Sequence, residues 1–157
     1  MNRPPLLPTI IGTGFGSGFW PWGPGTAGAL VATALWLALS YTLSSPLQLI
    51  VATIILVVLF TVLGTWATKR LMPFWGSDPS RVVVDEMVGV WIPLIAAPAS
   101  EFIYVLAAFL LFRFFDILKP LGIRAIDRKE GAFYVMADDI VAGLYSLAIL
   151  SIVRWLI

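Results

Sequence analysis

Between Arg3 and Lys69 the chain contains no Asp, Glu, Lys or Arg. A bilayer-crossing helix takes about 20 predominantly apolar residues, so this uncharged stretch has room for two crossings. An ordinary soluble core needs far less apolar chain than this sequence carries: of 157 residues, 60% are hydrophobic and 12% are charged. The net charge of +1 leaves no basic stripe to neutralise a nucleic-acid backbone, and that class of partner is set aside.

Neither cysteine nor histidine occurs. Disulfides, the usual zinc ligand sets, thiol nucleophiles and imidazole bases are thereby excluded, and any chemistry runs on carboxylates, amines, guanidinium groups and hydroxyls. Arg3 is followed by Pro4, Pro5, Pro8 and a glycine-rich run, without the compact apolar core and small-residue cleavage site of a signal peptide. No removable leader is expected.

The apolar runs and their punctuation predict an all-α integral membrane bundle of about five transmembrane helices, a single domain over residues 1–157. Seven glycines and two prolines between Gly12 and Gly28 predict an irregular re-entrant or interfacial loop. Thr26 then stands as the cap of a first crossing over residues 27–43, and Ser45 with Pro46 opens a second that ends near Arg70. A third apolar pattern covers 82–97, with Pro93 expected to bend or shorten it. A fourth covers 100–118 and a last crossing 138–155. The polar segment 120–131 between them reads as a short helix in the interface.

Following the chain back and forth turns scattered charges into a site. If the second helix ends at Lys69, the third begins on the same side with Asp85 and Glu86. The fourth returns there with Arg113, Asp116 and Lys119, and the fifth departs with Asp138 and Asp139. Arg3, Lys69, Arg70, Arg81, Arg124, Arg128 and Lys129 fall on that side too, leaving Arg154 opposite, so the positive-inside rule makes it cytoplasmic. Ionisable groups within spans cost about 2.5–3.5 kcal/mol each on insertion scales, so a cluster of them points to function. The structural alternative is that acids at helix N-termini serve the helix dipole, while Arg113 pairs with Asp116 one turn on.

Asp85, Glu86, Asp116, Asp138 and Asp139 are the candidate metal ligands. So many anions in one pocket call for a counterion, and magnesium suits oxygen ligands and substrate phosphate. Arg113, Asp116 and Lys119 recur every three residues on one helix face. The guanidinium can hold two phosphate oxygens while the lysine acts as a point charge. An interfacial ion-pair ladder is the alternative. Gly14-Phe15-Gly16-Ser17-Gly18 and Gly23-Pro24-Gly25-Thr26 can present backbone N–H groups to an anion. Ser17, Gly25 and Thr26 therefore join Arg113, Lys119 and Arg124 as candidate substrate-binding residues.

Four separated motifs, in order, resemble the phosphatidylglycerophosphatase A family. They are the glycine-rich stretch from Gly14 through Pro24-Gly25-Thr26-Ala27-Gly28, then Val84-Asp85-Glu86-Met87-Val88-Gly89-Val90-Trp91, then Phe112-Arg113-Phe114-Phe115-Asp116-Ile117-Leu118-Lys119-Pro120, and Asp138-Asp139-Ile140-Val141-Ala142-Gly143. The resemblance implies magnesium-dependent dephosphorylation of phosphatidylglycerophosphate to phosphatidylglycerol at the bacterial inner membrane. It also implies that the motif acids and the cations Arg113 and Lys119 form the site. The sequence departs at Phe133-Tyr134, where relatives often carry glycine.

With no histidine, a carboxylate must act as base or nucleophile, and a water activated by Glu86 or Asp139 is expected in preference to an aspartyl-phosphate. The catalytic set is then Asp85, Glu86, Arg113, Asp116, Lys119 and Asp139. Two rivals remain open on the residues alone. A CDP-alcohol phosphotransferase-like enzyme also joins carboxylates with magnesium, but its longer run of spaced aspartates is missing. A cation transporter would use the same acids, but commonly shows a repeat, and none is visible.

Overall fold

The computed structural model describes residues 3–157 and is helical throughout. Among the described residues there are seven α-helices and no strand: α1 (Leu6–Gly12), α2 (Pro24–Thr42), α3 (Pro46–Trp75), α4 (Val84–Leu94), α5 (Phe102–Leu118), α6 (Ile123–Asp127) and α7 (Ala132–Leu156).

Each boundary has a local cause. Pro24 occupies the first position of α2, where its missing N–H costs nothing, and Gly23 precedes it at φ 147°. The helix therefore starts ahead of Thr26, which is an early helical residue and not the cap. The cap at α3 is as expected: Ser45 Oγ accepts from Gln48 N at 3.3 Å, and Gln48 Oε1 accepts from Ser44 N at 2.9 Å. That helix continues past Arg70 to Trp75, because Pro73 sits in its last turn where one lost hydrogen bond is tolerated. Lys119 closes α5 in the left-handed conformation, φ 46°, since the following Pro120 disfavours helical geometry at the residue before it. The short helix α1 was not expected among the prolines and glycines of the N-terminal region. A 3₁₀ turn at Ser17–Phe19 carries the loop onward. At the other end, α7 begins at Ala132, so Asp138 and Asp139 lie in its second turn and not at its start.

Three helices are long and apolar enough to cross a membrane: α2, α3 and α7, with mean hydropathies of 1.2, 2.7 and 1.7. Their surfaces are inverted relative to a soluble bundle. On α3 the large residues Leu47, Ile55, Val58, Leu59 and Val62 are exposed, whereas Gly64, Ala67 and Thr68 are buried. Hydrocarbon outside and small residues at the helix contacts is the arrangement lipid favours. The third apolar segment is helical over only part of its length, as the Pro93 within it leads one to expect. Pro93 limits α4 to 11 residues, ten of them buried, and at 1.5 Å per residue it spans about 16 Å. It lies at the centre, packed by α2, α3, α5 and α7.

Close helix approach depends on glycines inside this one chain. A Cβ at Gly89 would overlap the Phe112 ring, one at Gly143 would stand 2.5 Å from the Gly89 carbonyl oxygen, and one at Gly64 would meet Met136 at 2.9 Å. The polar atoms of the buried tryptophans are satisfied: Trp36 Nε1 donates to Thr53 Oγ1 at 2.8 Å, and Trp91 Nε1 to the Ala32 carbonyl at 2.9 Å. Each such bond contributes on the order of 1 kcal/mol net, and leaving its donor unmade inside would cost more.

Candidate active site

The α4 start, the α5 end, the α7 second turn and the α2 N-terminus meet around a polar cavity of about 380 Å³. Its wall includes Gly25, Asp85, Glu86, Asp116, Lys119, Asp138 and Asp139. The α4 N-terminus supplies adjacent acids in its first turn, where the helix dipole favours negative charge. Asp138 and Asp139 are held deeper, on a helix face pinned against α4.

Within this group the carboxylates divide into two sets. Asp85, Glu86 and Asp139 each offer an oxygen, and these oxygens all lie within 4.8 Å of one another. The remaining acids are neutralised locally. Arg113 donates to Asp116 three residues on, and Lys119 Nζ donates to both Asp138 and Asp127, the latter at 2.6 Å. Burial works against the charge on Lys119, but its bonds to Asp127 and Asp138 prevail and hold its ammonium above the ordinary lysine range. Arg113 and Asp116 thus form the pair that helix spacing allows, and the pair stands beside the cluster.

Several buried polar atoms have no hydrogen-bond partner: Asp85 Oδ1, Glu86 Oε2, Asp138 Oδ1 and Arg113 Nε. Buried polar atoms of this kind are costly unless something pairs with them, and adjacent carboxylates compound the cost by repulsion. Among the described residues, Asp85, Glu86, Asp116, Asp127, Asp138 and Asp139 form ion pairs with Arg113 and Lys119 alone, although Arg128 and Lys129 also line the cavity. The deficit is of positive charge, and an oxygen-seeking divalent cation is the chemical species that the donor set fits. Gly25 brings the α2 backbone against this group. A Cβ there would overlap the Glu86 carboxylate and lie 3.3 Å from Arg113 Nη1.

The acids and Lys119 expected from the sequence are therefore brought together, with Gly25 beside them. Ser17, Thr26, Arg113 and Arg124 do not line the cavity, although Arg113 is paired with Asp116, which does. Ser17 Oγ donates to the Gly14 carbonyl at 2.9 Å within its own loop, and Arg124 donates to the Leu118 carbonyl at 3.0 Å, tying α6 to the end of α5. Asp127 was not anticipated. It lies in the polar segment between α5 and α7, where a charge attracts no notice, and only the fold shows that it grips Lys119.

An apolar all-helical protein with a carboxylate-lined pocket at its helix ends is the class that this architecture defines. The phosphatidylglycerophosphatase A family model matches residues 10–154. A protein named phosphatidylglycerophosphatase A from Haemophilus influenzae is 38% identical over 148 residues, covering 93% of this chain and 88% of its own length. Its namesake from Escherichia coli is 37% identical over 142 residues, covering 90% and 80%. A Bacteroides thetaiotaomicron protein, provisionally named a phosphatidylinositol-3-phosphatase, is 56% identical over 159 residues, covering 100% and 99%. No solved structure matches the chain. The chain belongs to the phosphatidylglycerophosphatase A family and is an enzyme of the phosphatase class.

Proposed function

We propose that this protein hydrolyses the terminal phosphate monoester of phosphatidylglycerophosphate, releasing phosphatidylglycerol and inorganic phosphate, with magnesium, at the cytoplasmic face of a bacterial inner membrane. The observation that carries the proposal is the meeting of Asp85 and Glu86 from α4 with Asp139 from α7, in a chain matched by the family over residues 10–154. Family membership also weighs against the phosphotransferase and transporter alternatives.

In this reading Asp85, Glu86 and Asp139 would hold the cation, as the unpartnered oxygens of Asp85 and Glu86 and the mutual spacing of all three suit. Bound magnesium supplies Lewis-acid neutralisation of phosphoryl charge. The chain's own groups do the rest. Lys119 and Arg113 place positive charge beside the phosphate oxygens, each exchanging part of its carboxylate pairing for the substrate. Glu86 or Asp139 takes a proton from a water aligned with the scissile bond. The water oxygen bonds to phosphorus as the bond to the headgroup oxygen breaks, and the same carboxyl group passes the proton it took to that oxygen, which leaves as the free alcohol.

The topology proposed for this chemistry is five crossings in one domain, with α4 and α5 completing the three long helices. The helices alternate in direction, so the α2, α4 and α7 starts and the α3 and α5 ends share the acidic side. The surrounding Arg and Lys residues lie there, and Arg154 lies at the far end.

A second headgroup has its own support. The Bacteroides relative covers the whole chain at 56% identity and is named for phosphatidylinositol 3-phosphate. Both lipids present a phosphate monoester on a diester-linked headgroup. Purified protein in detergent, given each lipid at equal mole fraction, separates them: faster phosphate release from phosphatidylglycerophosphate supports the proposal. Exclusive hydrolysis of the inositol lipid transfers the activity to that headgroup. Release from neither lipid refutes both.

A further inference from the structure

Beside the acidic cavity lies a second, smaller recess of about 280 Å³, lined by Trp75, Pro79, Ser80 and Arg81. Pro79 and Ser80 belong to both. Arg81 is exposed, and no carboxylate pairs with it among the described residues, unlike Arg113 and Lys119. Aromatic faces hold it instead. Its guanidinium carbon lies 5.8 Å from the Phe19 ring centre and 5.9 Å from that of Trp75, and these two rings meet edge to face at 6.3 Å.

The backbone beneath it is also fixed. Gly18 packs so tightly against the Arg81 carbonyl that a Cβ would overlap it, and Val83 N donates to the Gly12 carbonyl at 2.8 Å. The N-terminal loop and the segment before α4 are thereby clasped together, with Phe19 set beside the arginine. Cation–π contact engages the charge of the guanidinium without using up its N–H donors, which stay open to an anion. Aromatic side chains such as Trp75, Trp20 and Trp22 favour the headgroup level of a bilayer, where a phospholipid's linking phosphate lies.

We propose that Arg81, framed by Phe19 and Trp75, is a second phosphate subsite that binds the phosphodiester of the lipid substrate while the acidic cavity receives the terminal monoester. The proposal rests on the phospholipid phosphatase reading above. The diester has two non-bridging oxygens and one charge, which suit the paired N–H edge of one guanidinium. It would discriminate substrates by requiring a charged linkage between headgroup and diacylglycerol, whichever alcohol the headgroup carries.

The test crosses a protein change with a substrate change. Arg81→Gln is compared with the unmodified protein on phosphatidylglycerophosphate and on an analogue whose diester is an uncharged methylphosphonate. The expected result is a loss of about tenfold in kcat/KM, mainly through KM, for either change alone and little further loss when they are combined. Equal losses by Arg81→Gln on both lipids, or none on either, would overturn the subsite. Binding of dihexanoyl-phosphatidylglycerol, which keeps the diester and lacks the monoester, is measured by calorimetry alongside. If neither lipid is cleaved but Arg81→Gln still weakens this binding about tenfold, the catalytic reading fails and the subsite stands. If binding is unchanged by Arg81→Gln, the subsite fails whatever the activity.

Discussion

Single residues in this site act through the space and charge they leave open. Gly25 is the sharpest case, because its missing side chain is what lets the α2 N-terminus approach Glu86 and Arg113. A Cβ at Gly25 would overlap Glu86 Oε1, so Gly25→Ala should displace that carboxylate by about 1 Å, the scale on which reacting groups are placed. Phosphate release is expected to fall by about 10²-fold, with a melting temperature close to that of the parent. A variant that keeps full activity would show that Glu86 can move freely without consequence. The acids themselves were legible in the sequence because a carboxylate inside apolar chain is conspicuous. Asp127 was not, because it lies among Arg124, Arg128 and Lys129, where charge costs nothing and only folding reveals its bond to Lys119. Ser17 and Arg124 mislead for the opposite reason. Their chemistry suits an anion, but neighbouring carbonyls already engage them.

At the level of elements, α4 crossing α7 positions the acids, since one helix carries Asp85 and Glu86 and the other Asp138 and Asp139. The crossing is tight at Gly89 and Gly143, where each backbone lies against the other. Gly143→Ala puts a methyl group against the Gly89 carbonyl and Ile92, and should destabilise by about 1–3 kcal/mol, as overpacking does. Thermal unfolding in detergent measures it, with Leu47→Ala on the exposed face of α3 expected to change stability by no more than about 0.5 kcal/mol. Equal behaviour of the two variants would mean that the crossing is loose. The short length of α4 was legible only in part: Pro93 pointed to a bend or a shortening, but hydropathy does not distinguish a helix sheathed in protein from one sheathed in lipid, and the apolar run continues to Ala97. The helix α1 was hidden for a related reason: prolines and glycines argue against a helix, although Pro8 sits near its start and Gly12 at its finish, where such residues are tolerated.

For the whole molecule, alternation of helix direction gathers the acidic ends on one side and leaves Ser44 and Arg154 on the other. The absence of native cysteine makes the arrangement directly measurable. Single replacements Ser77→Cys and Ser44→Cys, probed with a membrane-impermeant thiol reagent on intact spheroplasts and on inverted vesicles, should label on opposite sides. Ser77→Cys is expected to react only in inverted vesicles, and labelling of both from one side would contradict the topology. The proposed cation-dependent phosphatase centre stands on the clustered carboxylates of Asp85 and Glu86 from α4 and Asp139 from α7. The most direct measurement is phosphate release from phosphatidylglycerophosphate by the parent protein, Asp139→Asn and Ser17→Ala, each with magnesium and with excess EDTA. Magnesium-dependent release is expected from the parent and Ser17→Ala alike, with a loss of at least about 10³-fold in Asp139→Asn and in every EDTA sample. Undiminished release by Asp139→Asn, or by the parent in EDTA, would contradict it.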